Sequence, residues 1–206
     1  MAEPAAATRG EIVRRPVLAG RAAAAPGVEI AALAPAARIV LRAPQAALPA
    51  LGKALGLALP QTPKTSAMAM PSARAANSEP KLRLAFWLGP DEWLVLGPPG
   101  AAAEIVAELD AAFAHVDRSV IDVSANRVAI ELTGAERFDL LAHVCPLDLD
   151  PRVWTTGRCA QTLLGRAQVV LQERTETTGI LVRPSFADYV VDLLLAVHGA
   201  VGGVGA

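Results

Sequence analysis

Between Asp117 and Pro151 the chain changes its hydrophobic period within a short stretch, and few architectures accommodate that change. Val128, Ile130 and Leu132 alternate with Arg127, Ala129 and Glu131, the period-two signature of a strand with one face in a core. A strand from about Val116 to Val123 precedes it, joined through a turn at Ser124-Ala125-Asn126, so the pair is expected to form a hairpin. Thr133-Gly134-Ala135-Glu136 then carries the capping-box pattern, in which hydroxyl and carboxylate each take a free helix N–H. Phe138, Leu141, Ala142 and Cys145 follow on one helical face until Pro146 stops the helix. The stretch therefore predicts the middle of a sheet with a helix laid on it.

The flanking sequence repeats this logic. Arg38–Arg42 predicts a short strand, and Leu48, Leu51 and Leu55 predict a helix with Pro49 in its first turn. Leu82, Leu84, Phe86 and Leu88 share one side of a strand that turns at Gly89-Pro90-Asp91-Glu92 into Trp93–Leu96, a β-hairpin. Ile105, Leu109 and Phe113 line a helix ending near His115. Ala167, Val169 and Leu171 predict a strand that hairpins at Thr175–Gly179 into Ile180–Val182. A last helix begins at Pro184-Ser185, presents Phe186, Val190, Leu193 and Val197 as its apolar stripe, and ends at Gly199. Strands that arrive in hairpins between helices specify an α+β fold, with an antiparallel or mixed sheet and covering helices.

Pro4, Pro16, Pro26 and Pro35 among alanines make residues 1–36 an expected N-terminal arm, ahead of one domain over residues 37–199 and a flexible tail at 200–206. Residues 60–80 form a long loop, in which Met68 and Met70 are expected to pack locally.

Composition removes several function classes. The formal net charge is −1 and the basic residues are scattered singly, whereas nucleic-acid binding needs a concentrated basic face. Although 53% of residues are hydrophobic, no apolar run reaches the length of a spanning helix. The first residues carry no export signal, so a cytoplasmic, soluble protein is expected, with no membrane partner. No Gly-x-Gly-x-x-Gly, phosphate-cradling loop or Gly-x-Ser-x-Gly occurs.

The individual reactive residues read mostly as structure. His115 and His143 close helix C-termini, and the two cysteines, Cys145 and Cys159, fit small buried thiols. Asp148 and Asp150 follow Pro146 in a loop, where they could form an acid/base or metal pair or simply be solvated. Trp87 alternates away from Leu84, Phe86 and Leu88, which places it on the other face of the strand, where it either marks an interface or packs under a loop or helix of its own domain. No residue is assigned a catalytic, cofactor-binding or metal-binding role. Trp87, Trp154, Asp148 and Asp150 are the candidates for a partner surface, with Asp122 and Arg127 beside them.

From about Leu82 to His198 the sequence resembles the gamma subunits of heterotetrameric sarcosine oxidase. The resemblance is carried by Phe86–Leu96, Val120–Gly134, Leu140–Leu149, Cys159–Val169 and Ser185–Leu194, in order. It implies a fold similar to the folate-binding domain of the T-protein aminomethyltransferases. It further implies an accessory, assembly role beside alpha, beta and delta subunits, chiefly the large alpha subunit. The complex so implied demethylates sarcosine oxidatively to glycine, releasing formaldehyde or methylenetetrahydrofolate, and holds FAD, FMN, NAD and zinc, and uses tetrahydrofolate, in its other chains. Gly157-Arg158-Cys159-Ala160-Gln161-Thr162 lacks the Lys, aromatic and Gly-Gln of a folate-related redox-type signature. A free-standing folate-dependent one-carbon transferase or repair protein of the T-protein type is the alternative.

Overall fold

The computed structural model describes residue 18 and residues 23–25, 27–69, 82–112 and 117–202. In chain order the elements are β1 (Ala23–Ala25), β2 (Val28–Ala32), β3 (Ala37–Arg42), α1 (Leu48–Leu55), β4 (Ser66–Ala69), β5 (Arg83–Gly89), β6 (Glu92–Gly97) and α2 (Ala102–Ala112). There follow β7 (Ser119–Asp122), β8 (Val128–Thr133), α3 (Arg137–Ala142), β9 (Cys159–Leu164), β10 (Ala167–Glu173), β11 (Thr177–Val182) and α4 (Ala187–Gly202). The strands make two antiparallel sheets, β1-β2-β8-β11-β10-β9 and β4-β5-β6-β3-β7.

Alternation along the strands explains how the sheets stack. Ile130, Leu132, Val169, Leu171, Ile180 and Val182 of the first sheet join Leu141, Val190 and Leu194 of α3 and α4 in one core. Ile39, Leu41, Trp93 and Val95 of the second join Leu51, Leu55, Ile105 and Leu109 of α1 and α2 in another. The intervening positions, Ala129, Val170 and Leu181 against Phe86, Leu94 and Leu96, meet in a third. The order of layers is helices, sheet, sheet, helices. Strands with both faces buried lose their polar alternation, which is why Ile180-Leu181-Val182 reads as a continuous apolar run.

The α+β class with hairpins and covering helices is the observed one, and several details differ from expectation. The predicted hairpin over residues 116–132 is a crossing between sheets. β7 pairs with β3 in the second sheet, and β8 pairs with β2 and β11 in the first. Ser124 pins the crossing to the second sheet: Arg38 N donates to its Oγ at 3.0 Å, and Val123 N donates to the Arg38 carbonyl at 2.8 Å. Period-two spacing fixes which face a residue takes and leaves its neighbouring strand unspecified.

Residues 28–32 of the expected arm form β2, a strand of the first sheet, and residue 36 lies in the link from β2 to β3 of the second sheet. Val28 and Ile30 on β2 are 4% and 2% exposed, and Leu18 is also buried in the same core. The pattern is short and framed by Pro26 and Pro35, so it carries little signal in sequence. The remaining positions of the expected arm, 1–17, 19–22 and 26, lie outside the described residues, as do Met70, Phe113 and His115. Met68 does not pack locally. It sits on the edge strand β4 and is 55% exposed.

The capping box does not form. Glu136 is the residue before α3 and makes no side-chain cap bond, while its N–H donates to the Gly27 carbonyl at 3.3 Å. Gly134 at φ +107° brings the two backbones so close that a Cβ there would lie 2.0 Å from Gly27 O. The buried stripe of α4 is Ala187, Val190, Val191 and Leu194, with Phe186 39% exposed ahead of it, and the helix continues past Gly199 to Gly202. Residues 200–202, expected in the tail, are therefore helical.

Candidate functional site

Around Glu173 the fold gathers the densest buried polar group of the first sheet. Glu173 ends β10, is 2% exposed, and accepts from Arg137 Nη2 at 2.9 Å on Oε1. Its Oε2 accepts from Thr178 Oγ1 at 2.6 Å and from the Trp154 indole N–H at 3.2 Å. Arg137 also donates to the Gly134 carbonyl at 3.1 Å and lies 4.1 Å over the Phe138 ring. Both carboxylate oxygens are engaged within the chain, although the Arg137 Nε is buried without a partner, so the carboxylate is a clamp joining β10, β11, α3 and the 150s loop.

That clamp disposes of one expected surface residue. Trp154 is 4% exposed and packed in the core, so it offers no area to a partner. Sequence spacing gives a Trp in a loop no face, and its N–H acceptor is nineteen positions away. Trp87 is half-buried on the face of β5 turned toward α1 and α2, paired across from the buried Trp93. The apolar strand residues left exposed are different ones. Leu163 on β9, Ile121 on β7 and Met68 on β4, all edge strands, are 42%, 54% and 55% exposed, and Leu82, just ahead of β5, is 49% exposed; none was marked as a partner surface from sequence. Ile121 in particular alternates like a core residue, and only the edge position of β7 exposes it.

Asp148 and Asp150 are turn-formers. Asp148 Oδ1 accepts from Asp150 N at 3.0 Å, and Asp150 accepts from Arg152 through N, Nε and Nη2 at 2.9, 2.9 and 2.6 Å. The Arg152 hydrogen bonds hold the Asp150 carboxyl below the usual aspartate range. Asp122 is exposed and is likewise held low by its bonds to Ser124.

Among the described residues no arrangement of nucleophile and base appears. The His143 ring donates to the Asp139 carbonyl at 2.7 Å, a bond within its own helix turn. Cys145 and Cys159 are free and buried, in different cores. The Cys159 thiol donates to the Thr65 carbonyl at 3.0 Å, and burial pushes its pKa up to about 11. Roughly one thiol in a thousand would then be ionised at pH 8. Alkylation of Cys159 in a Cys145→Ala background is accordingly expected to be very slow at pH 8 and to require unfolding. Fast labelling of the folded protein by iodoacetamide would contradict the buried placement. Among the described residues no group of three or more His, Cys, Asp or Glu is placed to hold a metal ion. No helix among them is long and apolar enough to cross a membrane.

Comparison with known proteins supplies what side-chain geometry does not. Residues 42–199 match the model of the "Sarcosine oxidase, gamma subunit family". The sarcosine oxidase subunit gamma of a Corynebacterium strain, P-1, is 40% identical over 111 residues, 53% of this chain and 54% of that protein. The subunit gamma of an Arthrobacter species is 36% identical over 147 residues, 71% of this chain and 66% of that protein. The chain thus spans between about half and two thirds of the length of the curated relatives it matches. A chain of the heterotetrameric sarcosine oxidase from Corynebacterium sp. U-96 superposes with a TM-score of 0.76 at 27% identity, over 91% of this chain and 95% of that one. Aminomethyltransferase T of the glycine cleavage system from Bartonella henselae superposes at 0.62 with 15% identity, over 82% of this chain and 45% of that one, a likeness of fold.

Proposed function

This chain belongs to the sarcosine oxidase gamma subunit family, and we propose that it is the accessory gamma chain of a heterotetrameric, flavin-dependent sarcosine oxidase. The observation that carries the reading is the match to a chain of such a heterotetramer at a TM-score of 0.76, nearly end to end in that chain. The internal geometry agrees with an assembly role. Its densest buried polar group is consumed by internal bonding, and the buried thiol is held protonated.

In this reading the alpha, beta and delta chains hold FAD, FMN, NAD, zinc and the tetrahydrofolate chemistry, and the complex works in the cytoplasm. Contact with the large alpha chain buries apolar area at the sheet margins, where Met68, Leu82, Ile121 and Leu163 are exposed. Trp87 and the Asp148–Asp150 turn contribute at its rim. An obligate contact of this kind buries on the order of 2,000 Å² or more. The likeness to aminomethyltransferase T is one of fold and gives a free-standing folate transferase no further support.

Co-expression of the four chains tests the proposal. Omitting this one should leave an oxidase that is purified in much lower yield, while the chain alone shows no flavin absorbance. An undiminished three-chain enzyme would contradict it.

A further inference from the structure

At one end of the molecule the two sheets leave a cleft between them. Cavities of about 700 and about 320 Å³ adjoin there, with Leu33, Pro35, Ala36, Arg38, Pro99 and Ala129 in the walls of both. The smaller is apolar, bounded by Leu84, Phe86, Leu96 and Leu181 from the facing sheets. The larger is bounded by Arg127 and by Ala102 and Ala103 at the start of α2. The N–H groups of those alanines precede the helix-opening bond from Ile105 N to Ala101 O, so a positive helix end faces the cavity.

Among the described residues neither arginine there makes an ion pair. Arg38 is 2% exposed; its Nη1 donates to the carbonyls of Ser124 at 3.1 Å and Ala36 at 3.4 Å, and its Nε is buried without a partner. Arg127 is half-buried, with Nη1 buried and unpartnered. Asp122, the carboxylate in the cavity wall, is engaged by the N–H and hydroxyl of Ser124. Burial first and then Arg127 hold Arg38 below the usual arginine range, and burial and then Arg183 act in the same direction on Arg127. A guanidinium taken out of water without an anion is unfavourable, and a carboxylate placed against it in hydrogen-bonding geometry offsets that penalty.

We propose that this cleft binds a carboxylate carried on an apolar body, with the carboxylate at Arg38 and Arg127 and the body in the slot beside Phe86 and Leu181. Arg38 belongs to both cavities, so one ligand can reach charge and slot together. A concave, largely apolar site with a few convergent polar groups is the usual form of a small-ligand pocket. The carboxylate can come from a free acid or from an Asp or Glu side chain of an associated subunit.

Fluorine NMR of the full chain titrated with 4-(trifluoromethyl)phenylacetate tests this, with the neutral amide of the same acid as comparison. The acid is expected to bind about tenfold or more tightly than the amide, and Arg127→Gln to remove most of that difference. Arg127 is chosen because its side chain makes no hydrogen bond among the described residues, whereas Arg38 bonds two backbone carbonyls. Repeating the titration with the other subunits bound separates the sources. Exclusion of the probe identifies a partner carboxylate, and its retention identifies a free acid. Equal binding of acid and amide, an unchanged Arg127→Gln, or binding of inorganic phosphate as tight as that of the acid would overturn the proposal. The first titration uses the chain by itself, so its outcome is independent of the subunit assignment.

Discussion

Ile130→Asp is expected to leave the chain unable to fold. Ile130 is fully buried in the middle of β8, opposite Ile180 on β11 and Ala32 on β2. Removing it forfeits about 1.5–3 kcal/mol of apolar burial. Placing a carboxyl there costs about 2–7 kcal/mol more even if it stays protonated. The sum approaches the about 5–15 kcal/mol that holds a typical domain together. Circular dichroism of the purified variant should show loss of the native spectrum, whereas Ile130→Val should cost about 0.5–1.5 kcal/mol and remain native. A native spectrum with unchanged Tm for Ile130→Asp would contradict the central position of β8.

The second large effect is expected at Glu173. Glu173→Ala strands the guanidinium of Arg137, which is 13% exposed, and leaves the Thr178 hydroxyl and Trp154 N–H without their acceptor. Breaking one side of a buried ion pair costs about 3–5 kcal/mol. For a chain of this size that is a fall in Tm of roughly 6–20 °C. Glu173→Gln keeps an acceptor oxygen and should cost clearly less. Trp154 should report the change through a red-shifted emission in the alanine variant. Equal and small effects of both substitutions in thermal denaturation would show that the three bonds do not act as one clamp.

Sequence carried the local elements well because they rest on spacing between near neighbours. β5 and β6 turn at the expected Gly89–Glu92, and α1 buries Leu48, Leu51 and Leu55 as their spacing predicts. What was not legible depends on distant partners. β7 and β8 share one alternating stretch but join different sheets, a choice made by contacts between Arg38 and Ser124. The Thr133–Glu136 pattern is consistent with a capped helix until Gly27, far earlier in the chain, takes the Glu136 N–H. Trp154 could have faced solvent or core, and its acceptor on β10 decided for the core.

The candidate cleft was legible only in part. Arg127 was marked only as a candidate for a partner surface, and Arg38 only as the start of a short strand. Two-sided burial of β3 by α1, α2 and the first sheet turns Arg38 inward. Family resemblance carried the functional assignment, since no motif of reactive residues encodes an accessory role.

The most direct test of that role is native mass spectrometry of material purified through an affinity tag on this chain after co-expression with the alpha, beta and delta chains. The predicted result is one species whose mass is the sum of four different chains with bound flavin, oxidising sarcosine. Recovery of this chain as a monomer, with the other three assembled and active without it, would contradict the account.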